Sequence, residues 1–123
     1  MKGIFHITDW QEQTEETFED GSKRTVANVS QRYEGAISGA SKLCYQMHYF
    51  TNGSACFCGF EYLTANLEEQ VFHIVLKHDG KFEQGKASSE FVIVSCQPDK
   101  ELQGRRGRFV STQGGQAEYD IEV

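Results

Sequence analysis

One proline, Pro98, stands among 123 residues, and no stretch of the chain carries sustained helical periodicity. Without helices or proline breaks, a chain of this length must build its core from strands. No apolar run approaches the length of a membrane span, and the start, Met1-Lys2-Gly3-Ile4-Phe5-His6-Ile7, lacks the apolar core of a signal peptide. These absences lead to the expectation of a cytoplasmic protein with no membrane partner, whose four cysteines, Cys44, Cys56, Cys58 and Cys96, are reduced thiols. Basic residues are also scarce, twelve against eighteen acidic ones, and a net charge of -6 opposes binding to nucleic acid. The one dense basic cluster, Arg105, Arg106 and Arg108, reads as a solvated loop beside a strand. No phosphate loop, nucleophile elbow or dinucleotide fingerprint occurs, so no cofactor is expected.

What the chain does have is glycine, twelve residues of it, breaking the sequence every ten to fifteen positions. Between the breaks, apolar residues alternate with polar ones, which predicts a single all-β domain over 1–123. Eight strands are expected, at about 2–10, 23–36, 39–51, 54–64, 70–82, 86–97, 106–112 and 117–123. The acidic, apolar-poor stretch from Asp9 to Asp20 is read as a long loop.

The alternation is clearest from Ser41 to Phe82. One face carries Ser41, Leu43, Tyr45, Met47 and Tyr49, then Ala55, Phe57, Gly59, Glu61 and Leu63, then Phe72, Ile74, Leu76, His78, Gly80 and Phe82. A three-residue loop ending at Gly53 keeps these apolar residues together and sets Tyr45 opposite Gly59, Met47 opposite Phe57 and Leu43 opposite Glu61. A turn near Glu83-Gln84-Gly85 leaves Gly80 inside a strand, as a bulge or a close backbone approach. The sixth strand has two registers open, with Glu90 or Phe91 opposite His78.

Two ionisable residues on a buried face are the candidates for chemistry. Glu61, among Leu43, Phe57 and Leu63, needs donors or a cation to offset its desolvation, from Tyr45, Ser41 or backbone N–H groups. As a catalytic group it would abstract or relay a proton. His78 is either a hydrogen-bonded core residue or a second catalytic candidate. With a turn near Leu67-Glu68, Ile74 faces Glu61 and Phe57 faces His78, which separates the two by roughly 13 Å of strand. Ser41, Tyr45, Phe57, Gly59, Glu61 and His78 together form the expected ligand-binding lining. Cys44, Cys56, Cys58 and His48 point outward in this register, and C-x-C on a flat strand spaces thiolates poorly, so no metal site is expected.

The row Gly39-x-Ser41, Tyr45-x-Met47-x-Tyr49, Asn52-Gly53-x-Ala55-x-Phe57-x-Gly59-x-Glu61 and Phe72-x-x-x-Leu76-x-His78-x-Gly80-x-Phe82-x-x-Gly85, with Leu102-x-Gly104-x-x-Gly107 and Tyr119, resembles the bacterial domain-of-unknown-function 3224 family. The resemblance implies an all-β, closed eight-stranded antiparallel barrel of the allene oxide cyclase-like type. Two loops depart from the family pattern: Ala65 to Gln70 replaces a Gly-rich connection, and Cys96 to Lys100 replaces a Gly-Ser-Gly-Thr-Gly run. An interior of eight strands is just wide enough to be filled by side chains or to hold one small ligand. Three function classes are compatible with these features. The first is a cofactor-free protein binding a small, partly apolar or amphipathic molecule. The second is an isomerase or cyclase acting on a lipid-like substrate through Glu61. The third is a subunit of a homo-oligomer, joined through the Cys- and aromatic-bearing outer face.

Overall fold

The computed structural model describes residues 1–123. Eight antiparallel strands follow one another around a closed, barrel-like ring. They are β1 (Lys2–Thr17), β2 (Lys23–Gly35), β3 (Ser38–Tyr49), β4 (Ala55–Leu67), β5 (Gln70–Glu83), β6 (Lys86–Gln97), β7 (Arg106–Ser111) and β8 (Gln116–Ile121). Closure comes from β1 against β8, with Lys2 opposite Asp120 and His6 opposite Gln116. No helix is long and apolar enough to cross a membrane.

The alternation in the sequence becomes alternation of burial. Leu43, Tyr45 and Met47 of β3 and Phe57, Glu61 and Leu63 of β4 are buried, while Cys44, Cys56, Cys58, Phe60 and Tyr62 face outward. The β3–β4 loop has three residues, with the Phe50 N–H donating to Ser54 O at 2.8 Å and Gly53 at φ +88°. Its register sets Tyr45 opposite Gly59, Met47 opposite Phe57 and Leu43 opposite Glu61, as the apolar row requires.

Two tight turns fix the registers of β5 and β6. Leu67 pairs with Gln70, so Glu68 and Glu69 form a two-residue turn with φ of 50° and 68° at both central positions. A primed turn of this kind matches the twist of the flanking strands. The turn lies one residue beyond the expected Leu67-Glu68, which shifts the pairing by two: Glu61 faces Leu76 and Gly59 faces His78, in place of Ile74 and Phe57. Glu83 pairs with Lys86 through a second two-residue turn, Gln84-Gly85, which sets Phe91 opposite His78. Gly80 is a close approach within the strand, since a Cβ there would stand 2.3 Å from the Phe57 ring.

The expected loop from Asp9 to Asp20 is mostly strand, because β1 continues to Thr17. The alternation fails there for a physical reason. Thr8 is bulged out between the pairs Ile7–Gln31 and Asp9–Ser30. A bulge inserts one residue and reverses the parity of the strand beyond it. Phe5 and Ile7 therefore share a face with Trp10, Glu12 and Thr14, which pair with Val29, Ala27 and Thr25. Beyond His6 this half of β1 pairs only with β2, leaving one end of the ring open on that side.

Candidate functional site

The open end holds a cavity of about 340 Å³. It is bounded by Gly85 of the β5–β6 turn, Gly115 of the β7–β8 turn, and Trp10 and Tyr49. Eleven of its seventeen lining residues are hydrophobic. Seven are aromatic: Phe5, Trp10, Tyr45, Tyr49, Phe57, Phe82 and Phe109. Concave apolar walls with a few polar groups are the usual form of a small-molecule site.

The rim is tied together by one carboxylate. Glu12 Oε2 accepts from Thr25 Oγ1 at 2.6 Å and from the Tyr49 hydroxyl at 2.6 Å, and Oε1 accepts from Trp10 Nε1 at 3.0 Å. Partial burial pushes the Glu12 carboxyl up, but the hydrogen bonds from Thr25, Tyr49 and Trp10 and the nearby Lys23 charge hold it below its ordinary value. The Tyr49 hydroxyl is correspondingly pushed up, by burial and by its bond to Glu12. Lys23 Nζ lies 4.9 Å from the centre of the Tyr49 ring.

Below the cavity lies a second carboxylate, fully buried. Glu61 Oε2 accepts from the Tyr33 hydroxyl at 2.5 Å, Ser41 Oγ at 2.6 Å and Gln31 Nε2 at 3.2 Å, and Oε1 lies 2.6 Å from His78 Nε2. Burial alone would push the Glu61 carboxyl up; the hydrogen bond and charge of His78, with Ser41 and Tyr33, outweigh it and hold the group below its ordinary value. Burial and then the Glu61 charge push the Tyr33 hydroxyl well up, so it remains a donor. His78 Nδ1 lies 3.0 Å from Ser89 Oγ, which also reaches the carbonyls of Glu90 and Asp79 at 3.1 and 3.3 Å.

The expected separation of Glu61 and His78 is therefore corrected. The short Glu68-Glu69 turn places them on a diagonal across adjacent strands, within reach of one another. Of the donors expected for Glu61, Ser41 is in place, whereas Tyr45 is elsewhere. Its hydroxyl is the one buried side-chain polar atom without a partner, and its ring packs on Phe57 at 4.7 Å.

Of the expected lining residues, Tyr45 and Phe57 bound the cavity. Ser41, Glu61 and His78 lie outside its lining, in the polar cluster beneath it. Gly59 sits against β3, where a Cβ would stand 1.9 Å from the Cys44 carbonyl oxygen. Ser89, His78 and Glu61 are joined in the bond order of a hydrolase triad, yet none of the three borders the cavity where a substrate would sit. No group of three His, Cys, Asp or Glu side chains converges as a metal site.

Sequence reasoning missed Trp10, Glu12, Gln31 and Tyr33. The first two were hidden by the bulge at Thr8. Gln31 did leave a signal, a polar residue breaking the apolar row of Ala27, Val29 and Tyr33 in β2 as Glu61 breaks that of β4.

The sequence pattern of a protein family described as of unknown function, DUF3224, matches residues 1–123. Among solved structures, a DUF3224-family protein of unknown function from Shewanella oneidensis MR-1 is similar in fold, with a TM-score of 0.69 and 21% identity over 98% of this chain and 92% of that one. A β-barrel-like protein from Acinetobacter baumannii AYE gives a TM-score of 0.67 and 16% identity over 98% of this chain and 89% of that one. No curated protein matches the sequence.

Proposed function

We propose, for a chain that belongs to the DUF3224 family, that the open end of the ring is a receptacle for a small, partly apolar molecule. The observation that supports this is the cavity, of ligand size, walled by aromatic rings and open beside the half of β1 that pairs only with β2. On the same reading the ring is of the allene oxide cyclase type, a likeness carried by the motif row from Gly39 to Tyr119.

The buried cluster serves the receptacle as its floor. Gln31 lines the cavity with one side and donates to Glu61 with its Nε2, so the carboxylate fixes a polar wall residue without touching the contents. A proton-transfer role for Glu61 or His78 finds no support in this arrangement. Both carboxylate oxygens are occupied by donors, and neither residue reaches the cavity.

Native mass spectrometry of protein purified without added ligand, and again after incubation with a metabolite extract, tests the reading. A bound, partly apolar compound is expected, and Ala87→Phe, which places a ring in the cavity, should abolish it. No bound mass under either condition would overturn the proposal.

We also propose self-association through the outer face of β3 and β4, where Phe60 and Tyr62 are 46% and 61% exposed beside Cys44 and Cys58. Sedimentation should show an assembly that Phe60→Lys with Tyr62→Lys dissociates; a strict monomer at all concentrations would end this reading.

A further inference from the structure

We infer that the cavity selects an apolar organic cation, a tertiary or quaternary ammonium with a hydrocarbon body, over a carboxylate or an uncharged molecule of the same shape. The inference rests on the receptacle reading above and adds the charge of the occupant.

The lining holds seven aromatic residues and no lysine, arginine or histidine. A carboxylate entering such walls would lose its hydration and meet no counter-cation. An ammonium would meet ring faces, which carry the negative end of the aromatic quadrupole. A quaternary ammonium is also weakly hydrated and has little to lose on entry.

Two carboxylates bond to residues of the lining, one buried and one exposed at the rim. Glu61 lies behind Gln31, with His78 bonded to its far oxygen. Glu12, at the rim, accepts from Trp10 and Tyr49 and differs in one respect. Its bonded partners, Thr25, Tyr49 and Trp10, are all neutral, and no cationic side chain stands within 4.0 Å of it. Its charge is only partly countered, by Lys23 at longer range. The rim already accommodates one ammonium on an aromatic face, since Lys23 Nζ sits over the Tyr49 ring. A net charge of -6 on the whole chain favours approach of cations from solution.

Two probes of one shape, phenyltrimethylammonium and its uncharged isostere tert-butylbenzene, separate charge from size, and 4-tert-butylbenzoate, the same body with a para carboxylate, supplies the anion. The sole tryptophan, Trp10, lines the cavity and reports occupancy by its fluorescence. The cation should bind about tenfold tighter than the uncharged isostere, as ring faces plus a carboxylate allow, and the anion should not bind measurably. Glu12→Gln, whose amide oxygen can keep the acceptor for Trp10 Nε1 while its NH2 faces the Thr25 and Tyr49 hydroxyls, which can accept, should weaken the cation severalfold and leave tert-butylbenzene unchanged. Tert-butylbenzene or 4-tert-butylbenzoate binding as tightly as the cation would overturn the inference while leaving the receptacle in place. Equal effects of Glu12→Gln on cation and isostere would overturn the role of charge. Failure of all three probes to move Trp10 emission or show heat of binding would remove the receptacle and the inference together.

Discussion

His78 Nε2 lies 2.6 Å from Glu61 Oε1 although the two residues do not face each other: Glu61 is opposite Leu76, and His78 is opposite Gly59. Diagonal neighbours on one face of a sheet lie within reach of long side chains, and here the diagonal is filled by a charge-assisted bond.

That bond makes the fold sensitive to acid. The folded Glu61 carboxyl lies below its ordinary value of 4.5, so between the two values the unfolded chain binds more protons. The stabilisation is complete above about pH 4.5 and is lost as pH falls through the folded value. Urea denaturation from pH 7 to pH 3 should show this fall. Glu61→Gln should cost about 3 kcal/mol at pH 7, because His78, Tyr33 and Ser41 lose their charged acceptor, and should flatten the acid limb. An unchanged acid limb would exclude Glu61 as its source.

Tyr33→Phe tests the donors one at a time. The ring stays, while Glu61 Oε2 loses its Tyr33 hydrogen bond. A loss of about 1–3 kcal/mol is expected, together with an acid transition moved to higher pH, since one of the bonds that hold the carboxyl down is gone. A transition moved to lower pH would contradict the assignment.

Gly59 is set by the neighbouring backbone. A Cβ would stand 1.9 Å from the Cys44 carbonyl oxygen, which cannot turn aside as a side chain would. Gly59→Ala should cost about 3 kcal/mol or more, or prevent folding. Gly85→Ala is the contrast, with φ +78° and open space around the position; only the left-handed conformation is penalised there, by about 1 kcal/mol. Thermal denaturation of the two variants should rank them in that order.

The β4–β5 turn carries avoidable strain. Glu68 and Glu69 both adopt positive φ, a conformation suited to Asn-Gly. Replacing them, as Glu68→Asn with Glu69→Gly, should stabilise the chain by about 1 kcal/mol, read from the urea midpoint. Destabilisation would show that the loop has another geometry.

The strand order, the buried face from Ser41 to Phe82 and the loop at Gly53 were legible because each is local. A period of two and a glycine suited to left-handed φ decide them within a few residues. The meeting of Glu61 and His78 was not legible, because a two-residue turn at Leu67-Glu68 and one at Glu68-Glu69 are equally compatible with the alternation, and only pairing between the strands selects Leu67 against Gln70. Nor was the rim of the cavity. The bulge at Thr8 reverses the parity of β1, so Trp10 and Glu12 read as part of an acidic loop until pairing with Val29 and Ala27 sets them on the face of Phe5 and Ile7, at the mouth of the cavity. The alternation of residues along β4 and β5 is enough to bury a carboxylate and an imidazole among aromatic rings. Their bond to each other beneath the cavity, and the place of Glu12 at its rim, come from the folded ring alone, because register and bulges are set by pairing between strands and not by any one strand's own pattern.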